Sequence, residues 1–576
     1  MDSLSKLNFW LENDYFDQDT KNELLSIKDD AKEVEDRFYK SLEFGTGGLR
    51  GIIGAGTNRI NIYTVRVASQ GLANYINNLG KQDQGIVIAY DSRFMSPEFS
   101  LEAAKVFCAN GIKAYLFDEL RPTPQLSFAV RFLKAAAGIV VTASHNPKQY
   151  NGYKVYGEDG GQLSLDGSNA VIAEINKIMD ITKVNTISKE AAIEKGLLEI
   201  IGGKVDDAYI AMLKTLQVNK DAASKVADSF KIVYTPLHGA GNKPVRRILS
   251  ENGFKNVIVV KEQELPDSQF STVKSPNPEE KSAFELAIKL AAENNVDLII
   301  GTDPDSDRVG VVVRKNNGEY ITLTGNQTGC LLLEYILSAM KETGRLPNNG
   351  FVVKTIVTTE LSKVIAKYYN VELVEVLTGF KFIGEQIMLR DEKGDQKYLF
   401  GFEESYGYLA GTDVRDKDAV VASMLIAEMA AYYKAKGISL YDALINLFEK
   451  YGYYIEGISS FTLEGKDGVT KIKSAMSTMR TAKYKSIGDL KVKAIRDYQS
   501  SDKYVIADET TEKITLPASD VLYFEMEDGS WFCVRPSGTE PKIKIYYGVS
   551  DKTLELSQAK LETFKSNILN VMKPLL

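Results

Sequence analysis

The chain has 576 residues, of which 44% are hydrophobic and 26% charged, and its formal net charge is -7. At roughly 150 residues per domain this length predicts about four domains rather than one core. The composition is that of an ordinary globular protein. The acidic balance excludes a general nucleic-acid binder, which needs a basic field, so no nucleic-acid partner is expected.

Cysteine usage and apolar run lengths indicate the compartment. Cys108, Cys330 and Cys533 are odd in number and far apart, which fits neither a disulfide framework nor a zinc site and favours a reducing environment. The N-terminal stretch has no apolar secretory core. The longest apolar stretches, such as 419–426, fall short of the ~18 residues that span a bilayer. We expect a cytoplasmic protein without a membrane partner.

Residues 1–44 are charged and amphipathic at helical spacing, with Leu4, Leu7, Trp10 and Leu11 on one face, and predict a helical lead-in. Short β-branched runs then alternate with helical stretches. The predicted strands are 86–90, 113–117, 231–234, 257–260, 351–354 and 372–376, and the predicted helices are 96–110, 242–252 and 359–369. This alternation predicts βαβ units, and therefore α/β domains with parallel or mixed sheets.

The last part of the chain has a different pattern. From about residue 454, predicted strands at 521–525, 531–534 and 542–547 surround helices without βαβ order, which indicates a separate α+β domain. Polar or glycine-bearing seams lie near 204–207, 320–324 and 450–456. We therefore expect four domains, at residues 1–205, 206–322, 323–452 and 453–576.

The stretch 142–147 reads Thr-Ala-Ser-His-Asn-Pro and directly follows the apolar run 135–141. Ser144 lies among small residues, His145 follows it, and Pro147 prevents a helix from absorbing the loop. This arrangement is typical of a nucleophilic or phosphorylated serine at the end of a strand.

Three carboxylates follow the predicted strand at 296–300. In an extended segment Asp303, Asp305 and Asp307 would point to one side, and three hard oxygen ligands suit Mg²⁺. An EF-hand does not fit, because Arg308 occupies its glycine position and Arg314 its glutamate position. The alternative is a solvated acidic turn.

Four further loops carry weaker signals. Segment 45–51 is glycine-rich around Arg50, segment 535–542 combines hydroxyls with basic residues, and segments 401–405 and 378–381 carry polar groups beside glycine. Each can bind phosphate or sugar. Each can also be structural: a glycine turn, a polar hairpin, a helix cap with acidic residues, or a surface lysine.

Together these signatures, in this order, resemble the α-D-phosphohexomutase superfamily, and within it the longer phosphoglucomutases with a helical N-terminal extension and a Phe-Glu-Glu-Ser loop. The likeness runs from about residue 45 to residue 547. It implies three related α/β domains with mixed sheets plus a C-terminal α+β domain around a central cleft. It implies conversion of α-D-glucose 1-phosphate to glucose 6-phosphate through a phosphoserine enzyme and glucose 1,6-bisphosphate, by a monomer or a homodimer.

The resemblance also implies a site. Ser144 would carry the phosphoryl group and, with Asp303, Asp305 and Asp307, hold one Mg²⁺. Arg50 and His145 would support the transferring group, and Lys154 would act as general acid/base with a depressed pKa. The positions expected to face the sugar are Arg308, Thr378, Gly379, Lys381, Glu403 and Ser405. The positions expected to grip the non-reacting phosphate are Arg535, Ser537, Gly538, Thr539 and Lys542.

Several functions stay open at this point. Better-known glucose and mannose members have glycine where this chain has Phe402, and the subgroup with phenylalanine includes pentose-phosphate mutases, so pentose or mannose phosphates are alternatives. A Mg²⁺-dependent sugar phosphatase would use the same serine and aspartates but would not need segment 535–542. A silent sugar-phosphate-binding protein would be expected to lack the serine or the aspartates.

Overall fold

The computed structural model describes residues 2–45, 47–463, 465–537 and 542–576, without the side chains of 465–467. The chain begins with the predicted helical lead-in. Its helices are α1 (Ser3–Glu12), α2 (Gln18–Ile27) and α3 (Ala31–Phe38), each capped by an aspartate side chain. Leu7 and Trp10 are buried, whereas Leu4 is 59% exposed and lies outside this small core.

The first α/β domain contains a six-stranded mixed sheet with the order β1-β5-β4-β2-β3-β6. Its strands are β1 (Gly48–Ile52), β2 (Ile86–Tyr90), β3 (Ala114–Phe117), β4 (Ala137–Val141), β5 (Tyr150–Gly157) and β6 (Leu198–Ile201). Its helices are α4 (Ile62–Asn78), α5 (Ser96–Ala109), α6 (Thr123–Leu133), α7 (Leu165–Asn176), α8 (Lys189–Glu194) and α9 (Gly203–Thr215), with 3₁₀ turns at Gln82–Gln84 and Ile181–Lys183.

The second domain has a five-stranded sheet with the order β11-β10-β9-β7-β8. Its strands are β7 (Ile232–Thr235), β8 (Val257–Val259), β9 (Leu298–Thr302), β10 (Val309–Arg314) and β11 (Tyr320–Leu323). Its helices are α10 (Asn242–Glu251), α11 (Lys261–Glu264) and α12 (Glu285–Asn294), with a 3₁₀ turn at Lys281–Phe284.

The third domain has a four-stranded sheet with the order β13-β12-β14-β15. Its strands are β12 (Gly350–Thr355), β13 (Glu372–Val376), β14 (Lys397–Glu403) and β15 (Gly407–Leu409). Its helices are α13 (Gly325–Glu342), α14 (Leu361–Tyr368), α15 (Phe380–Lys393), α16 (Ala419–Ala435) and α17 (Leu440–Tyr451). Helix α16 is apolar and buried along most of its length, and belongs to the largest hydrophobic core.

These three sheets share one four-stranded unit. In chain order its strands a, b, c and d lie side by side as b-a-c-d, namely β3-β2-β4-β5, β8-β7-β9-β10 and β13-β12-β14-β15. Strands a, b and c are parallel, and d runs antiparallel to c. The three c–d connections therefore occupy equivalent places, and they are residues 142–149, 303–308 and 404–406.

The fourth domain is an antiparallel sheet packed against helices, as the absence of βαβ order predicts. Its strands are β16 (Tyr453–Thr462), β17 (Ser486–Ile487), β18 (Leu490–Asp497), β19 (Asp502–Val505), β20 (Thr511–Lys513), β21 (Leu522–Met526), β22 (Trp531–Pro536) and β23 (Lys542–Asp551). Helices α18 (Gly465–Thr481) and α19 (Leu554–Met572) accompany them, and a 3₁₀ turn at Lys573–Leu575 ends the chain.

The predicted seams lie in different local structures. Residues 204–207 are inside α9, residues 320–324 contain β11, and residues 450–456 contain the α17–β16 junction at Gly452, whose φ is +105°. Among the described residues, no helix combines the length and apolar character needed to cross a bilayer. Cys108, Cys330 and Cys533 are buried free thiols.

Candidate active site

Ser144 lies in the first of the three equivalent connections, residues 142–149. It lies one residue beyond Ala143 in the β4–β5 loop with a left-handed φ of +52°, and it is 4% exposed. Its Oγ donates to Asp303 Oδ2 at 2.8 Å and lies 3.3 Å from His145 Nδ1. Thr142 Oγ1 accepts from the Ser144 amide at 2.8 Å. The hydroxyl thus faces the second domain, and the loop is buried at residues 142–144 and exposed at residues 147–149.

Asp303, Asp305 and Asp307 converge, with one carboxylate oxygen from each within 4.8 Å of the other two. The convergence was predicted, but the reason for it was wrong. The segment is a turn rather than an extended strand, with Ser306 at a φ of +52°. Asp303 Oδ1 accepts from the amides of Asp307 (3.1 Å) and Arg308 (3.0 Å), which folds the turn back on itself.

The turn is fixed from the outside by two other segments. Thr123, at the start of α6, donates its amide to Asp305 O and its hydroxyl to Asp305 Oδ2, both at 2.8 Å. The Ala240 amide donates to Pro304 O at 2.8 Å. A Cβ on Gly239 would lie 2.5 Å from Pro304 Cα, so the backbone approaches the turn closely there, and this position requires glycine.

The three carboxylates suit a hard cation. All three are buried, and Asp305 Oδ1 and Asp307 Oδ1 have no hydrogen-bond partner in the part of the chain that the structure describes. Burial and the neighbouring carboxylates of Asp305 and Asp307 raise the pKa of Asp303 well above its ordinary value. Oxygen ligands of this kind, concentrated and unsatisfied, fit a divalent ion such as Mg²⁺.

The predicted depressed pKa of Lys154 is wrong for this structure. Lys154 lies on β5, and its Nζ is 2.7 Å from Asp305 Oδ2 and 3.3 Å from Asp307 Oδ2. Burial would lower the pKa of Lys154, but the two carboxylates outweigh burial and raise it. The amine is therefore held protonated beside the aspartates.

Arg308 joins the turn that carries Asp303, Asp305 and Asp307 to the third domain. Its Nη1 donates to Glu279 Oε1 at 2.7 Å and to Ser405 O at 2.8 Å, and its backbone pairs with Gly407. Ser405 thus contacts the site through its carbonyl. The second and third c–d connections are therefore in direct contact.

Three of the predicted sugar-facing residues lie around the end of β14. Glu403 is 4% exposed and accepts a hydrogen bond from the Gly379 amide at 3.0 Å. Burial raises the pKa of Glu403, and Lys417 and Arg308 oppose this shift as electrostatic neighbours. Thr378 Oγ1 is buried and has no partner among the described residues. These groups offer a carboxylate and a hydroxyl to a polyol.

Lys381 is placed differently from the other sugar-facing candidates. It lines a cavity of about 480 Å³, together with Gln162, Phe382 and Glu385, between the first and third domains. Burial lowers its pKa. Its amine lies 5.1 Å from the Phe382 ring and interacts electrostatically with Glu385.

Phe402 points away from Glu403, because the two residues alternate along β14. Its ring is 2% exposed and stacks between Phe400 and Tyr408. A Cβ on Gly329 of α13 would lie 2.2 Å from this ring. Phe402 is therefore a core residue matched to Gly329.

Arg50 and His145 lie beside the Ser144 loop. Arg50 is exposed on β1, where it pairs with Gly152 of β5. A Cβ on Gly152 would lie 2.4 Å from Thr142 O, so only glycine lets these segments approach. Burial and then Arg308, among other cations, lower the pKa of His145 well below its ordinary value, which keeps the imidazole neutral.

The fourth domain contributes a basic group at the β22–β23 connection. Arg535 pairs with Lys544 across the two strands, and the Ser537 amide donates to Lys542 O at 2.7 Å. Gly538 and Thr539 lie outside the described residues. Burial lowers the pKa of Lys544, and the positive charges of Lys542 and Arg535 add to this shift.

Sequence comparison supplies the decisive observation. Four consecutive regions match the four domains described as phosphoglucomutase/phosphomannomutase, at residues 41–182, 207–318, 324–451 and 483–562. A phosphoglucomutase of Staphylococcus haemolyticus is 40% identical over 522 residues, covering 90% of this chain and 92% of that protein. The chain belongs to the phosphoglucomutase/phosphomannomutase family.

Other members support this placement. A phosphoglucomutase of Staphylococcus saprophyticus is 37% identical over 569 residues, covering 97% of this chain and 99% of that protein. The solved open form of pp63/parafusin from Paramecium shares the fold, with a TM-score of 0.69 at 17% identity over 93% of this chain and 95% of that one. Membership confirms the predicted fold class and the predicted enzyme class, an intramolecular phosphotransferase.

Two buried cations at this candidate site were not predicted from the sequence. Lys417 Nζ lies 3.2 Å from Asp307 Oδ2 and 2.9 Å from Asp416 Oδ1. Arg93 lies beneath the Ser144 loop. Lys417 belongs to the run Arg-Asp-Lys-Asp directly before the apolar helix α16, and Arg93 follows strand β2. The sequence signal that could have identified both residues is a charged side chain directly beside a buried strand or helix.

Proposed function

We propose that this enzyme interconverts α-D-glucose 1-phosphate and glucose 6-phosphate, with Ser144 as the phosphoryl carrier. The single observation that carries the proposal is the 2.8 Å hydrogen bond from Ser144 Oγ to Asp303 Oδ2. It joins a hydroxyl on one domain to an acidic cluster on the next. Relatives at about 40% identity over most of the chain that bear the name phosphoglucomutase support the choice of sugar.

In the forward half-reaction the bond from phosphorus to Ser144 Oγ breaks as a hydroxyl oxygen of the sugar monophosphate bonds to phosphorus, and Ser144 Oγ takes up the proton of that hydroxyl as it leaves. The product is glucose 1,6-bisphosphate, which turns end for end before its other phosphoryl group returns to Ser144. When that group leaves the sugar, the sugar oxygen needs a proton. Lys154, protonated beside Asp305 and Asp307, is assigned this general-acid role.

Asp303, Asp305, Asp307 and phosphorylated Ser144 would hold one Mg²⁺. A bound Mg²⁺ supplies charge neutralisation on the phosphoryl oxygens, which is the main requirement of phosphoryl transfer. The two unpartnered aspartate oxygens support this assignment. Lys154 and Lys417 flank Asp307 and carry compensating positive charge.

The rest of the substrate would be bound by the third and fourth domains. Glu403, Thr378, Gly379 and Ser405 are assigned to the sugar hydroxyls, with Arg308 between the sugar and the transferring group. Lys381 is assigned to the outer side of this pocket. The segment containing Arg535, Ser537, Gly538, Thr539 and Lys542 is assigned to the non-reacting phosphate. Arg50 and neutral His145 are assigned to the transferring phosphoryl group.

The four predicted domains, divided near residues 205, 322 and 452, are proposed as the units that close around this substrate. The seam at Gly452 is the proposed pivot of the fourth domain, since a glycine with a φ of +105° stands directly between α17 and β16. A small phosphosugar is the proposed partner, and the proposed state is a monomer or a homodimer.

A sugar panel tests the proposal. The 1-phosphates of glucose, mannose, ribose, deoxyribose and glucosamine are each supplied with Mg²⁺ and the matching bisphosphate, and isomer and free phosphate are both measured. We expect the highest kcat/KM for glucose 1-phosphate and little free phosphate. A preference for a pentose or for mannose would reject the glucose assignment, and release of phosphate without isomer would indicate a phosphatase.

A further inference from the structure

Arg93 occupies the centre of the Ser144 loop. Its Nη2 donates to Ser144 O at 2.5 Å and to Asn146 O, and its Nη1 donates to Pro147 O and Tyr150 O, both at 3.0 Å. One guanidinium thus binds four carbonyls within seven residues of chain. The side chain is fully buried.

The loop needs such a partner because its own backbone bonds are few. Among the described residues, its internal backbone hydrogen bonds run from Asn146 N to Ala143 O and from Tyr150 N to Pro147 O, both at 3.1 Å. Ser144 has a φ of +52°, a region that costs a non-glycine residue roughly 1 kcal/mol or more and persists only where the surroundings impose it. Buried carbonyls also need donors. Arg93 meets both requirements at the carrier residue.

Arg93 is itself fixed by Asp91. Asp91 Oδ1 accepts from the Arg93 amide at 2.9 Å, and its Oδ2 lies 3.4 Å from Arg93 Nε. Asp91 Oδ2 also accepts from Thr142 Oγ1 at 2.6 Å, and Thr142 Oγ1 accepts from the Ser144 amide. Arg93 therefore holds the Ser144 carbonyl, and Thr142 holds the Ser144 amide, through one shared carboxylate.

The second domain covers the other face of Arg93. The Phe270 ring lies 5.1 Å from the guanidinium and is 1% exposed. In the same connection, Ser275 Oγ donates to His145 O at 3.0 Å. The second domain, which supplies Asp303, therefore also packs against Arg93 and against the Ser144 loop. These contacts fix the position of the Ser144 loop relative to Asp303.

We propose that Arg93 is a positioning residue for phosphoryl transfer, which fixes the Ser144 backbone so that the phosphorylated Oγ faces Asp303. This inference rests on the proposed function. In the productive step the phosphorus–Oγ bond breaks, the sugar oxygen bonds to phosphorus, and the sugar hydroxyl proton passes to Ser144 Oγ, which leaves as a hydroxyl. In the competing leak, water supplies that oxygen and inorganic phosphate is the product. Displacement of the phosphoserine lowers the rate of transfer to the sugar and raises the share of hydrolysis.

Arg93→Lys in the full-length enzyme tests this role, because a lysine ammonium cannot reproduce the planar fork of donors. The enzyme is phosphorylated with glucose 1,6-bisphosphate and discharged with glucose 1-phosphate, and the ratio of inorganic phosphate to isomer is measured. We expect kcat to fall about a hundredfold, the loss that a misplacement of about 1 Å can cause, with little change in KM. The ratio is expected to rise by about tenfold or more. The ratio does not depend on the fraction of folded enzyme, so simple destabilisation leaves it unchanged.

Arg59→Lys is the matched control. Arg59 is 5% exposed and donates to Asn58 O at 3.3 Å and to Asp36 Oδ2 at 2.6 Å, beside the lead-in helix α3. Its replacement should lower stability and leave the ratio unchanged. If Arg93→Lys does not fold, Phe270→Leu is the second test. This variant keeps every carbonyl contact of Arg93 and removes the ring beside the guanidinium, so we expect a smaller rise of the ratio of inorganic phosphate to isomer.

Folded variants of Arg93 or Phe270 that keep the wild-type ratio overturn the positioning role. A ratio that rises as much in Arg59→Lys also overturns it. Failure of the proposed function is a separate result, because it appears in the wild-type enzyme as absence of any isomer.

Discussion

Ser144 Oγ and Asp303 Oδ2 lie 2.8 Å apart although 159 residues separate them in the chain. Each follows strand c of its own sheet, Ser144 after β4 and Asp303 after β9. The repeated b-a-c-d unit places these connections at the same edge of each sheet, where ligand sites form at the carboxyl ends of parallel strands. The candidate active site is thus assembled from equivalent positions of repeated units.

Mg²⁺ should stabilise the fold through the three aspartates. A ligand that binds only the folded state adds about 2.7 kcal/mol at a hundred times its dissociation constant, so the midpoint of thermal unfolding should rise with Mg²⁺ and return with a chelator. Asp305→Asn should lose most of this shift. Asp297→Asn, at the opposite end of β9, is the matched control and should keep it. An equal shift in both variants would contradict the proposed metal site.

Removing charge from the fourth domain should weaken binding more than chemistry. Lys542→Ala is expected to raise KM about tenfold with a smaller change in kcat, because the group it binds does not react in the first step. Lys503→Ala, on β19 of the same domain, is the control. Steady-state kinetics with glucose 1-phosphate at saturating bisphosphate give both constants. A fall in kcat with unchanged KM would place Lys542 at the reacting phosphoryl group instead.

Phe402 should affect stability and not sugar preference. Phe402→Leu leaves space above Gly329 and is expected to lower the free energy of unfolding by at least about 1 kcal/mol. Gly329→Ala should also destabilise, by about 1–3 kcal/mol, because its Cβ would overlap the ring. The relative kcat/KM for glucose and ribose 1-phosphates should stay within about twofold of the wild-type ratio. A clear shift toward one sugar would show that Phe402 shapes the pocket.

Glu428 should make the enzyme less stable as the pH rises. Burial raises its pKa to about 7 from 4.5, so the folded state binds a proton more strongly than the unfolded state. Stability from this group is therefore full below about pH 4.5 and is lost as the pH approaches 7. Glu428→Gln keeps an oxygen for Tyr335 OH and the Val218 and Asn219 amides.

The Glu428→Gln variant should accordingly unfold at a higher temperature than the wild type at pH 8, with the difference shrinking toward pH 5. Differential scanning calorimetry across this range measures it. A difference that is constant with pH would mean that Glu428 does not titrate between the two states.

Much of this site was predictable because its key residues follow strands in short, unusual segments. Ser144 and the Asp303 turn were found from local composition alone, and the turn converges even though its backbone is not extended. The order of signatures then indicated the superfamily. The contact between Ser144 and Asp303 could be predicted only from the resemblance to the superfamily, because the number of residues between two positions does not determine their distance in space.

Other features could not be predicted because they depend on packing. Lys154 was expected to have a depressed pKa, but it lies against Asp305 and Asp307, whose charges outweigh the effect of burial and raise its pKa. Ser144 was expected at the end of a strand, but its burial against Asp303 of the second domain depends on how the two domains pack. Arg93 holds the Ser144 loop through backbone carbonyls, a role that no sequence pattern identifies.

The most direct measurement is the phosphorylation state of Ser144 during turnover. The enzyme is incubated with glucose 1,6-bisphosphate, and the peptide containing residues 142–154 is analysed before and after excess glucose 1-phosphate is added. The account predicts one phosphoryl group on Ser144 that is discharged to the sugar, and an unmodified, inactive but folded Ser144→Ala variant. Isomerisation by Ser144→Ala, or a phosphoryl group found on another residue, would contradict it.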